Sequence, residues 1–227
     1  WHTTICFKKY DIVMDEDTLI IDTKTRNEKY KNFLINNKKK IILISAILVF
    51  ISLAFYSFQI YKNQQQELLS DKYNSAIIAN QKDDKSQAIQ ALKEVIESED
   101  NTYSPLALYY LIDNNLIKNK SQINELFDIL INNVSMENEI KNLVIYKKAL
   151  FNADDVSENE LLSILKPLIN SKSIWKSHAL YLAAEYFYFK NEKQKSKEFF
   201  NQILNLENAN SDLKKEAQKR LNRDLSD

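Results

Sequence analysis

Not one of the 227 residues is glycine, and only Pro105 and Pro167 are proline. Tight hairpins, β-bulges and left-handed turns draw on these residue types, so such a chain is confined almost entirely to helices joined by short connections. Asparagine must then serve the turns. The same absence bears on chemistry. Phosphate-cradling loops, dinucleotide fingerprints and nucleophile elbows need backbone that approaches a ligand closely or bends sharply, and none can be written with this sequence. Cys6 is the single cysteine, and His2 and His178 are the two histidines. Neither an internal disulfide nor a Cys/His zinc site can therefore be assembled within one chain. Catalytic residues, cofactors and metals are all expected to be none. With 44% hydrophobic and 27% charged residues, acids and bases in equal number, the chain has the material for one or two folded domains.

The strongest local signal is residues 41–61, IILISAILVFISLAFYSFQIY, which carry no charge. At about 1.5 Å of rise per residue the run reaches about 30 Å, the thickness of a bilayer core. A helix of a soluble core would show a polar face, whereas here Ser45, Ser52, Ser57 and Gln59 are the only interruptions, and Tyr56 and Tyr61 lie where interfacial aromatics sit. Ser52-Leu53-Ala54 offers the small-x-small pattern of a signal-peptide cleavage site, but the apolar run continues past it through Phe55, Tyr56 and Phe58. An uncleaved anchor is the better reading. Lys24, Arg26, Lys29, Lys31 and Lys38–Lys40 precede the run, against Lys62, Lys72 and Lys82 after it. The positive-inside rule then keeps the amino-terminal side in the cytoplasm. The domains read as a cytoplasmic segment 1–37, an anchor 38–62 and a domain 63–227 beyond the membrane, in the periplasm of a Gram-negative cell. Trp1 is no ordinary initiator and Met14 opens the acidic stretch MDED, so residues 1–13 read as an upstream extension or a fragment boundary.

Past Lys62 the sequence turns polar, Asn-rich and periodically apolar. Stripes at helical spacing run through Leu69, Tyr73 and Ala76, then Ala88, Leu92, Val95 and Ile96, then Ile123, Leu126, Phe127 and Leu130, then Ile140, Leu143, Val144 and Leu150, then Leu161, Leu162 and Leu165. Ser104-Pro105 reads as an N-cap and first helical position. Breaks rich in Asn, Asp and Ser recur roughly every 15–20 residues, so short helices alternate with short connections, and two helices make a unit near the tetratricopeptide length of about 34 residues. Ala184, Phe187, Ser196 and Phe200 occupy the small and large positions of that repeat, as do Ala76, Ala88 and Leu92, while residues 102–170 keep the rhythm without these matches. Residues 210–224 fit a charged capping helix. The predicted fold is thus all-α: one transmembrane helix, then a tetratricopeptide-like array of helical hairpins.

This order of parts, from the approach TRNEKYKNFLINNKKK through the span to QQQELLSDKYNSAIIANQKDDKSQAI, resembles the YfgM-like proteins, ancillary subunits of the SecYEG translocon. The resemblance covers residues 15–227 and rests on architecture. It implies a non-enzymatic inner-membrane protein that binds the translocon, periplasmic chaperones and exported clients, and helps hand clients over. The alternative is a membrane-anchored scaffold for envelope assembly or cell division. A third class, a hydrolase using Asp83-Asp84 or Asp154-Asp155, would need carboxylates converging in a pocket, whereas these pairs sit in predicted turns.

In a tetratricopeptide array the outward positions of the first helix of each hairpin line a groove. These are Tyr73, Ile77 and Asn80 in the first recognisable repeat and His178, Tyr181, Glu185 and Tyr188 in the last. Tyrosine suits peptide capture because it combines apolar area with a hydrogen-bonding tip; the competing reading is that these aromatics pack between repeats. Tyr186-Phe187-Tyr188-Phe189 is too continuous for one stripe and predicts a helix covered on both faces. Beyond residue 62 acids outnumber bases, which does not suit nucleic acid.

Overall fold

The computed structural model describes residues 28–225, and among these every regular element is a helix. Residues 1–13, Lys24 and Arg26 lie outside the described residues. The chain divides into two compact units, Trp1–Asn63 and Gln64–Asp227.

In the first unit a helical stretch 28–36 is followed by a turn at Asn37 and then by helix α1, Lys38–Gln81. This is the one described helix long and apolar enough to cross a membrane, and none of its most apolar 18-residue window is buried. Its 44 residues exceed the roughly 20 that a bilayer core needs, and the part that belongs to the second unit buries Ala76 and Ala79.

The second unit continues with α2 (Lys85–Glu97), α3 (Tyr103–Asp113), α4 (Lys120–Asn132) and α5 (Asn138–Asn152). After these come α6 (Glu158–Ile169), α7 (Lys176–Phe189), α8 (Lys193–Asn205) and α9 (Ser211–Asp224). From α2 onward each helix packs on the next, and α2 also meets α4, α5 meets α7, and α7 meets α9. Three hydrophobic clusters follow one another along the chain. The first joins Ala76, Leu92, Leu108, Phe127 and Val144; the second Ile145, Leu161, Leu165 and Phe187; the third Leu180, Phe200, Ile203 and Ala217. Ile131 touches the first and second, while Ile169 and Phe199 touch the second and third.

Five long-range side-chain pairs fall 34–37 residues apart, beside others such as Lys148–Asp128, Asn124–Asn152 and Asn80–Tyr110 at separations of 20, 28 and 30. Asn133 bonds Glu99 and Ser173 bonds Glu139, each 34 residues apart, while Lys120 meets Asp155 and Arg220 meets Glu185, each 35 apart. Lys195 reaches Glu158 over 37. A spacing of one helix pair is what a hairpin array imposes, since each side chain can touch its counterpart in the next pair but no further.

Helix ends show how a chain without glycine turns. Asp83, Glu99, Asn115 and Asn191 have φ of 64°, 56°, 50° and 61°, the left-handed region where glycine usually closes a helix. Behind Asp83, Asn115 and Asn191 the two bonds of a Schellman closure are present, as in Glu192 N–H to Phe187 O (2.8 Å) and Asn191 N–H to Tyr188 O (3.0 Å). At Glu99 the Val95 carbonyl is taken instead by the hydroxyls of Ser98 (2.7 Å) and Ser104 (2.9 Å). Ser104 is therefore not the cap of α3. The helix begins at Tyr103, two residues before Pro105, and Asp100 Oδ1, ahead of the N-cap Thr102, accepts from the Thr102 and Tyr103 amides, both at 2.8 Å.

Candidate protein-binding surface

The odd-numbered helices of the second unit are joined in series by aromatic and cationic side chains. On α1, Tyr73 is half-buried, its ring 6.1 Å from Tyr103 and 6.3 Å from Tyr110 on α3. Burial, reinforced by Tyr110, pushes the Tyr73 hydroxyl above the usual phenol range. Asn80 Nδ2 donates to Tyr110 Oη at 3.0 Å, and Ile77 is half-buried on the same stripe. From α3 to α5, Lys147 Nζ lies 4.5 Å from the Tyr109 ring centroid. Burial moves the Tyr109 hydroxyl up to about 12. From α5 to α7, Tyr146 stacks on Trp175 at 5.6 Å, and His178 completes the nest, 5.1 Å from Trp175 and 5.8 Å from Tyr146.

The last link, α7 to α9, is the most polar. Arg220 grips Glu185 with two bonds of 2.7 Å, Nε to Oε1 and Nη2 to Oε2, a fork that fixes direction as well as distance. Its guanidinium also lies 4.2 Å from the Tyr188 ring centroid and bonds Asp224. Tyr181 sets its ring edge-on to Phe200 at 5.6 Å. Burial, then the adjoining Glu185 carboxylate, pushes its hydroxyl up to about 12. The α7 stripe thus divides: His178 turns to the preceding helix pair, and Tyr181, Glu185 and Tyr188 are engaged by α8 and α9. Tyr103, Tyr109, Tyr110, Tyr146, Trp175 and Arg220 belong to the same seam, and the sequence reading missed them. The adjacent aromatics Tyr109-Tyr110 in the unmatched middle region were the available signal.

The dense aromatic run is covered unevenly. Tyr186 and Phe187 are buried and Tyr188 is half-buried, but Phe189 is 80% exposed, so the expectation of two covered faces holds only for the first three. Tyr186 Oη donates to Val156 O at 2.9 Å, and Phe187 stacks on Phe199 at 5.4 Å. At the start of α7, Trp175 Nε1, Ser177 Oγ and His178 Nδ1 are buried without a hydrogen-bond partner. Beside them Ile174, Trp175, His178 and Asn208–Asn210 line a recess of about 260 Å³, and Ile174 is 68% exposed.

The acidic pairs occupy turns. Asp84 caps α2 by accepting from Gln87 N–H at 3.1 Å, Asp83 faces Lys85 at 3.6 Å, and Asp155 pairs with Lys120. Among the described residues no three His, Cys, Asp or Glu side chains are grouped so as to hold a metal ion.

No family model, curated protein or solved structure matches the chain. What the geometry defines is a class: a protein all-helical among its described residues, with one long helix apolar enough to span a bilayer and shorter helices that pack each on the next.

Proposed function

We propose that this chain is a single-pass membrane protein whose second unit is a tetratricopeptide-like array that binds other proteins. The observations that carry this reading are the packing of each helix on the next and five side-chain pairs that share a spacing of 34–37 residues. That spacing sets alternate helices side by side and gathers their tyrosines, tryptophan and histidine into one seam. Most rings of that seam are engaged within the array, so the part left open to an extended peptide is the recess where exposed Ile174 lies beside Trp175 and His178.

The excess of lysines before the span supports an amino-terminal side in the cytoplasm, which puts the array in the periplasm if the cell is Gram-negative. Tethering then holds the array at high effective concentration beside whatever emerges from the membrane, so modest affinity suffices. On the resemblance to YfgM-like proteins, the partners are the SecYEG translocon, periplasmic chaperones and exported clients, and the role is handover without catalysis.

The test is in-cell photo-crosslinking from Ile174 and Ile78, both exposed, with protease accessibility of the array read in the same spheroplasts. Crosslinks to translocon subunits or exported chains from an accessible array are the expected result. An accessible array crosslinked only to division or outer-membrane assembly proteins would transfer the reading to a fixed scaffold, and a protected array would reverse the topology.

A further inference from the structure

We propose that residues 28–36 form a surface helix that lies against a membrane rich in anionic lipid, with its apolar stripe in the acyl boundary and its lysines on the headgroups. The inference rests on reading residues 41–61 as a span, and goes beyond it by assigning a lipid class to the segment before the span.

Successive residues of a helix are about 100° apart, so Tyr30, Phe33 and Leu34 fall on one stripe that runs on through Asn37 to Ile41. All three apolar side chains are more than half exposed, at 63%, 61% and 54%, and with Lys29 they line one shallow recess. In water that stripe would be an uncompensated apolar surface. Two features say what covers it. The stripe leads directly into the bare apolar surface of α1, so a bilayer that covers one lies at the edge of the other.

The second feature is charge. Lys29 and Lys31 sit about 100° to either side of Tyr30, the flank positions from which a lysine lays its stem along apolar surface and lifts its ammonium to the headgroups. Lys38, Lys39 and Lys40 follow within one turn of Asn37, and no described carboxylate forms an ion pair with any of the five. Glu28, the one acid in the stretch, lies opposite the stripe with Asn32 and the exposed Ile35, while Asn36 sits beside Lys29. At Asn37 both the amide N–H and Nδ2 donate to Phe33 O at 3.0 Å, and Ile41 N–H donates to Asn37 O at 2.9 Å. A basic flank around an apolar stripe is the pattern of a helix lying in the interface, and anionic headgroups are its complement.

The experiment uses the full-length protein with Cys6→Ser, reconstituted into vesicles of phosphatidylcholine alone or mixed with phosphatidylglycerol. A fluorescent label is placed in turn at Phe33→Cys, Asn32→Cys and Ile47→Cys, and quenching is read with lipids brominated near the headgroup or deep in the chain. The label at 33 is expected to be quenched by the shallow bromines well above the label at 32, more so with phosphatidylglycerol and less so as salt rises. Lys29→Gln and Lys31→Gln are each expected to weaken surface partitioning about fivefold. Equal quenching at 33 and 32, or quenching at 33 indifferent to phosphatidylglycerol, would overturn the proposal while deep quenching at 47 kept the span. Absence of deep quenching at 47 would sink the span and the surface helix with it.

Discussion

Arg220 contacts more of its surroundings than any other charged residue described here, touching Glu185, Asp224, Tyr188 and Phe200 at once. Arg220→Ala removes the fork and leaves Glu185 half-covered without its partner, so a loss of about 2 kcal/mol is expected in denaturant unfolding followed by circular dichroism. Asp224 gives the contact a pH signature. Its bond from Arg223, opposed by burial and aided by Arg220, holds the carboxyl at about 2 against 3.8 for an unperturbed aspartate. A depressed carboxyl contributes stability that is present above pH 3.8 and is lost as pH falls toward 2. Unfolding curves collected across that window should show the loss, and Asp224→Asn should flatten it. Tyr181 behaves in the opposite sense. Because its hydroxyl is raised from 10 to about 12, its contribution is intact below pH 10 and fades as pH climbs toward 12. A near-ultraviolet tyrosinate titration should show a smaller late-ionising component in Tyr181→Phe, with Tyr109 supplying what remains.

Among the elements, α6 starts on a complete capping box. The Ser157 hydroxyl accepts from the Glu160 amide, and the Glu160 carboxylate accepts from the Ser157 amide at 2.9 Å. The Ser157 hydroxyl, donating to the Glu160 carboxylate at 2.7 Å, and then the Ser157 amide hold that carboxyl below its usual range. Ser157→Ala should cost about 1 kcal/mol in the same unfolding experiment. The left-handed helix ends allow a change in the other direction. Asp83 holds φ at 64° with only an exposed, 3.6 Å contact to Lys85, so Asp83→Gly should relieve the conformation at little cost and raise stability by about 0.5 kcal/mol. Glu99 would respond less well to the same change, because its carboxylate accepts from Asn133 Nδ2 at 2.8 Å.

For the whole molecule, three cores in series imply that damage stays local. Phe127 is fully buried in the first cluster and Phe187 in the second, and alanine at either should cost about 3–5 kcal/mol. Hydrogen exchange should then locate the damage: Phe127→Ala should raise exchange in α2 to α4 well above that in α8 and α9, because only Ile131, Ile169 and Phe199 carry packing from one cluster to the next. Equal acceleration everywhere would mean one cooperative body.

The sequence by itself determined everything that depends on near neighbours. Absence of glycine, the uncharged run 41–61 and the apolar stripes at 3.6-residue spacing depend on residues within one or two turns, and all three are legible without coordinates. So was the charged helix read over 210–224, which the structure gives as Ser211–Asp224 with Asn210 as its cap. What only the tertiary structure decided is which members of a stripe face solvent. Tyr181, Glu185 and Tyr188 lie on the face chosen from periodicity, but Arg220, 35 residues beyond Glu185, occupies that face. Likewise Ser104 looks like a cap beside Pro105, yet the Val95 carbonyl nine residues earlier claims its hydroxyl. Helical period fixes the direction of a side chain about its own axis; what stands in that direction is set by how the next hairpin packs, and no local pattern encodes it.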